Sequence, residues 1–169
     1  MTWSHSGDVF LLTNGVGRVK IYGWPDLNLI HTLDAHTSNC FCLEFDPRGR
    51  YLAVGGADAI VSLWDLKEWI SVRTIDRQEY LLFLSSKRTN SSSWPIRTLS
   101  FSYDGVYLAS GSEDSNIDIA YVETGLEARK VPTTSAINSL AWHPGKHWLA
   151  YAGEDKEGSL RILAFQDSK

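Results

Sequence analysis

The residues of this chain that could do chemistry are three aspartates, two cysteines and two histidines. Asp58, Asp114 and Asp155 offer the carboxylates that general acid–base catalysis uses. Cys40 with Cys42, or His143 with His147, could contribute to a metal site. Each set fails on its spacing. Catalytic groups converge on one place, whereas the three aspartates recur at one position of a repeating unit, always at its second turn. The cysteines sit at i and i+2 of one expected strand, facing the same side. They are too close for an ordinary disulfide, lack two further ligands, and read as packing residues. His143 and His147 flank a turn containing Pro144 and Gly145, with no helix or further ligand beside them. No nucleophile elbow, phosphate loop or paired-acid motif is present. The expectation is a chain with no catalytic residue, no cofactor, no metal and no small-molecule substrate.

The elements that position these residues repeat. An aromatic residue followed four places later by glycine and then a short apolar strand occurs as "WSHSGDVFLL" from Trp3, "FDPRGRYLAV" from Phe45 and "FSYDGVYLAS" from Phe101. A variant with an early glycine, "WHPGKHWLAY", begins at Trp142. The aromatics are 42, 56 and 41 residues apart. The strands that follow, "VKIYG", "VSLWD", "IDIAY" and "LRILA", are 42, 56 and 43 residues apart, so two independent rulers agree. A period near 40–45 residues with four short strands per unit is the pattern of WD-repeat β-propeller blades. The second unit shows all four strands: around Cys40–Phe45, then Tyr51–Gly55, Ile60–Leu66 and Trp69–Ile75, the last with Ile70 and Val72 alternating with Ser71 and Arg73. The fold class is all-β, with about four blades over residues 1–34, 35–77, 94–132 and 133–166, and an insertion at 78–93.

Composition agrees and excludes several functions. Apolar residues make up 43% of the 169 residues and charged residues 21%, as in a globular domain. A net charge of -4 opposes autonomous gripping of nucleic acid, so any RNA contact is indirect. Two cysteines fit a reducing compartment. The start, "MTWSHSGDVF", does not read as a signal peptide, and the longest apolar run, Tyr80 to Leu84, is far too short for a membrane helix.

WD repeats join a histidine before the first strand to an aspartate in the second turn and a tryptophan on the third strand. By resemblance those positions are His36, Asp58 and Trp64 here. A second-strand hydroxyl often completes the network, and Val54 stands at that position, leaving the network one member short. The third unit keeps Ser110 and Asp114 but has Ala120 at the tryptophan position. The fourth has Asp155 with Leu163, and the first has Tyr22. These residues are expected to be structural.

The segments "SNCFCLEFDPRGRYLAVGGADAIVSLWDL", "WPIRTLSFSYDGVYLASGSEDSNIDIAYVETG" and "INSLAWHPGKHWLAYAGEDKEGSLRILAF" together resemble the WD-repeat subunits of the THO complex. "SEDSNIDIAYVETG" is the most specific of them, because most WD repeats carry Trp-Asp near Ala120-Tyr121. The resemblance implies a nuclear scaffold in the THO/TREX assembly, which couples transcription to messenger-RNA packaging and export. Its partners would be the other subunits. A WD-repeat adaptor of another complex, such as a ubiquitin-ligase substrate receptor, is the alternative.

The insertion "QEYLLFLSSKRTNSSS" falls between the fourth strand of one blade and the first of the next. It reads as a surface loop, as translated intron sequence, or as a partner-binding loop centred on its apolar pentad. Deleting it is expected to preserve or raise thermal stability, because the regular spacing is then restored. Four units are also fewer than the seven blades expected of the resembling family. The expectation is an open arc whose end blades expose apolar faces and strand edges, giving self-association visible in light scattering.

Overall fold

In the computed structural model, which describes residues 1–76 and 94–166, every regular element is a β-strand. The first sheet holds β1 (Thr2–Trp3), β2 (Val9–Thr13), β3 (Arg18–Gly23) and β4 (Leu29–Asp34). The second holds β5 (Cys40–Phe45), β6 (Tyr51–Gly56), β7 (Ile60–Asp65) and β8 (Ser71–Asp76). The third holds β9 (Ile96–Phe101), β10 (Tyr107–Ser112), β11 (Asn116–Tyr121) and β12 (Glu127–Pro132). The fourth has three strands among the described residues: β13 (Ile137–Trp142), β14 (Trp148–Gly153) and β15 (Leu160–Ala164). All neighbours are antiparallel and in sequence order, as in a meander. These are WD-type propeller blades, as the repeat spacing predicts. The insertion at 78–93 lies outside the described residues.

The register is the same from blade to blade. The second residue of each second strand pairs with the tryptophan position: Phe10 with Tyr22, Leu52 with Trp64, Leu108 with Ala120 and Leu149 with Leu163. Each third strand is entered through a residue in the left-handed region: Gly17, Ala59, Ser115 and, two residues before β15, Gly158. The tight turn demands that conformation, and only glycine adopts it freely.

Side chains from facing sheets fill three cores. Leu11, Val19 and Ile21 of the first blade meet Leu52, Val54 and Trp64 of the second. Val61, Leu63 and Ile75 meet Ile96, Leu99 and Phe101 between the second and third. Ile117 and Ile119 meet Ile137, Leu140 and Trp142 between the third and fourth. Glycine lets these blades approach. A Cβ at Gly55 would lie 2.7 Å from Ile96, and one at the equivalent Gly111 would lie 2.7 Å from Ile137. Thus the second strand of one blade is notched to take the first isoleucine of the next.

No such core joins the fourth blade to the first among the described residues. The outer faces of the two end blades are instead open. Leu160 and Ile162 on β15 are 70% and 66% exposed, with Trp148 beside them. On the first blade, Trp3 and Trp24 are exposed in edge-to-face contact, and Trp3 leads into Phe10 stacked on Tyr22. No helix among the described residues is long and apolar enough to cross a membrane.

Candidate functional site

Two constellations stand out: a hydrogen-bonded relay inside the second blade, and a recess where three inner strands end. The relay begins at His36, in the loop between β4 and β5, whose side chain is 1% exposed. Its Nδ1 lies 2.9 and 3.0 Å from the two carboxylate oxygens of Asp58, at the turn between β6 and β7. Gly56 leaves the room for this pair, since a Cβ there would lie 2.6 Å from Nδ1. His36 Nε2 lies 3.0 Å from Ser62 Oγ, and the Trp64 indole N–H donates to that same oxygen at 2.9 Å. The Val54 carbonyl is 3.2 Å from Nε2. With its proton on Nδ1, His36 donates to Asp58 and accepts from Ser62, and Ser62 accepts from Trp64.

The expected gap at Val54 is therefore filled. Val54 and Ser62 are directly opposed across β6 and β7, so their side chains share a face. The hydroxyl has moved to the cross-strand neighbour and still reaches both the imidazole and the indole. Ser62→Ala should lower stability by about 1–2 kcal/mol by leaving the buried indole N–H without an acceptor. Adding Val54→Thr should restore most of the loss in urea unfolding. A Ser62→Ala protein as stable as the parent would show that the relay contributes nothing.

The recess, about 300 Å³, lies where the inner strands β5, β9 and β13 run out, with His5 from the first blade on its rim. Glu44 and Ser100 stand one residue before the terminal aromatics Phe45 and Phe101 of their strands. Burial pushes the Glu44 carboxyl up to about 7, against hydrogen bonds from the Phe101 backbone N–H and from Ser100. Ser100 Oγ in turn accepts the Trp142 backbone N–H at 3.2 Å. A polar stitch thus crosses three blades.

The sign of the Glu44 shift sets a pH dependence. Its folded value lies above the unfolded one, so the folded state favours the neutral acid. The contribution is fully present below about pH 4 and is lost as pH rises through about 7. Glu44→Gln should leave the melting temperature near pH 4 unchanged and raise it at pH 8, by about 1–3 kcal/mol in stability. An equal effect at both pH values would contradict a buried, destabilised carboxylate.

Comparison with known proteins bears on what this architecture is for. The family model "WD domain, G-beta repeat" matches residues 27–65 and 128–162, and the model "Anaphase-promoting complex subunit 4 WD40 domain" matches residues 75–144. THO complex subunit 3 of Arabidopsis thaliana is 43% identical over 99% of this chain and 51% of its own length. The chain is a WD-repeat β-propeller protein. It is also similar to the WD repeat-containing protein AAC3 of Dictyostelium discoideum, at 35% identity over 96% of this chain and 33% of the relative. The chain thus spans about half of the first relative and a third of the second. Among solved structures, the β-propeller domain of Myceliophteria thermophila Cps50 (Swd1) superposes with a TM-score of 0.83 at 18% identity, over 98% of this chain and 53% of that one. A chain of the Mitotic Checkpoint Complex gives 0.80 at 21%, over 96% and 47%. At such identities these two show the fold alone.

The WD-repeat protein distributes its other candidate residues as follows. His36, Asp58 and Trp64 come together, through Ser62. In the third blade, Asp114 accepts from Ser112 Oγ and from the Asn116 backbone N–H. Ser110 is buried on β10, opposite Asp118 on β11. Asp155 accepts from the Ser159 backbone and from Arg161 at 2.7 Å, and the Ser159 N–H foremost holds its carboxyl below the usual range. The three aspartates stay in three separate turns. Burial pushes the Cys40 and Cys42 thiols up to about 11 and about 12, so both are protonated packing groups, with Cys42 Sγ 3.7 Å from the Ile96 carbonyl. His147 does not pair with His143. It lies 2.9 Å from Asp104 across the blade boundary and packs its ring against those of Tyr103 and Tyr107. No group of three or more metal-ligating side chains gathers among the described residues.

Proposed function

We propose that this WD-repeat protein is a noncatalytic scaffold subunit of a THO-type nuclear assembly, acting in transcription-coupled packaging and export of messenger RNA through protein–protein contacts. The observation that carries the reading is the 43% identity to THO complex subunit 3 sustained over 99% of the chain. The architecture supports a binding role. Its three candidate aspartates are held apart in three separate turns, Asp58 bonded to His36, Asp114 to the Asn116 N–H and Asp155 to the Ser159 N–H. The blades present turns and edges on a rigid frame, which is how propellers hold partners.

A second reading, an adaptor of another assembly such as a ubiquitin-ligase receptor, is favoured by one observation: the match of residues 75–144 to the anaphase-promoting complex subunit 4 WD40 model. Affinity purification of the tagged chain followed by mass spectrometry separates the two. Recovery of THO-type subunits is the expected result. Recovery of ubiquitin-ligase components without them would replace the first reading by the second.

A further inference from the structure

We propose that the recess at the ends of the inner strands is a receptor for one arginine side chain of a protein partner, with Glu44 as its counter-charge. The inference rests on the reading that the chain works by binding proteins, and it names where one contact is made.

The repeat supplies an internal control. Glu44 on β5 and Ser100 on β9 occupy the same repeat position, and each accepts the backbone N–H of the equivalent aromatic on the next inner strand, Phe101 and Trp142. The hydroxyl of Ser100 performs that joining. Glu44 accepts a second bond, from the Ser100 hydroxyl, that a neutral amide would accept equally, yet as a carboxylate it carries the cost of burying a charge. The extra charge therefore answers a demand other than joining blades.

Glu44 also lacks what neighbouring acids have. Asp46 is paired with Arg50, Asp104 with His147 and Asp155 with Arg161. Among the described residues no cation pairs with Glu44, although it lines an open recess. The recess is lined by Phe45, Phe101, Tyr103 and Trp142 together with His5 and His143; Phe101 and Trp142 lie mostly in the blade cores, so half-buried Phe45 and exposed Tyr103 are the rings it offers. Aromatic faces around a carboxylate suit a cation, and a planar guanidinium best of all, because it stacks on rings while hydrogen-bonding a carboxylate in a fork. At about 300 Å³ the space sits at the lower end of small-molecule sites, enough for one side chain and too small for a helix.

The test is a titration of the isotope-labelled full chain at pH 8, with N-acetyl-arginine methylamide and, as control, N-acetyl-norleucine methylamide, read by amide NMR shifts. Arginine should give saturable shifts at Ser100, Phe101, Tyr103 and Trp142 in the millimolar range, and norleucine about tenfold weaker binding. Glu44→Gln keeps an oxygen for the Phe101 N–H and should weaken arginine binding about tenfold. Tyr103→Ala, which removes an exposed wall, should weaken it several-fold. Equal binding of both probes, undiminished binding by Glu44→Gln, or no saturable shift at all would each overturn the inference. A chain that recovers THO-type subunits yet ignores the arginine probe loses this site and keeps the scaffold reading. One that binds the probe but recovers no such subunits does the reverse.

Discussion

Trp64→Ala is expected to lower the unfolding free energy by about 3–5 kcal/mol, the cost of emptying a large buried aromatic site. The ring is 9% exposed and packs in the core between the first and second blades, with Leu11, Ile21, Leu52 and Val54. Its removal leaves a cavity at a joint between sheets, where the repeat register on both sides limits collapse. It also deprives Ser62 Oγ of the N–H it accepts at 2.9 Å, loosening the hold on His36. Trp64→Phe separates the two parts: it keeps most of the volume, loses the donor, and should cost less than the alanine change. Urea unfolding followed by far-ultraviolet circular dichroism gives both numbers. A Trp64→Ala protein with the parent midpoint would mean that the ring does not hold the blades together.

Asp46→Ala should cost about 2–4 kcal/mol, because one buried carboxylate organises a whole blade boundary. Asp46 is fully buried. It accepts the backbone N–H of Arg48 at 3.2 Å and the Arg50 guanidinium Nε at 2.8 Å. Arg50 then donates to the Gly105 carbonyl at 3.0 Å and pairs with Glu123, both on the third blade. Without Asp46, the half-buried guanidinium keeps only the more exposed Glu123 as counter-charge, and the link from second to third blade weakens. A double-mutant cycle with Arg50→Ala should show coupling above about 1 kcal/mol, since the two residues act as one unit. Additive losses would contradict that linkage.

Much of this fold is legible in the sequence because propeller blades write the same instructions repeatedly. The aromatic-to-glycine ruler places the first turn of each unit, and the short apolar strands recurring 42, 56 and 43 residues apart place its third strand. The expected strand Cys40–Phe45 is found as such, and Tyr51–Gly55 and Ile60–Leu66 match β6 and β7 within a residue at one end. The fourth strand of that blade is less regular. Trp69, expected within it, lies in the preceding turn with a φ of 55°, and β8 begins at Ser71. Nor does apolarity there mean inwardness. Val72 faces outward, while Arg73 turns to the next blade and donates to the Val122 carbonyl at 2.8 Å. An outer strand is half solvated, so a long cationic side chain can bridge where a short apolar one cannot.

The candidate sites were less legible, for a geometric reason. Reading along one strand finds Val54 where a hydroxyl is expected and stops there. Ser62 supplies that hydroxyl from the opposing strand, which appears only once the Val54–Ser62 pairing is known. Glu44 is hidden in the same way. In sequence it is one polar residue in a half-exposed strand, and its meaning comes from Ser100 and Phe101, more than fifty residues away, packing against it. A pattern search that registers cross-strand and cross-blade neighbours would have flagged both.

The measurement that bears most directly on the scaffold account is co-elution. The purified chain is mixed with recombinant THO-type partner subunits and resolved by size-exclusion chromatography with light scattering. The account predicts that it moves into the high-mass fraction with them and that Trp64→Ala, by loosening the blades, reduces its share. A folded chain that elutes apart from those subunits at concentrations well above their own assembly range would contradict it.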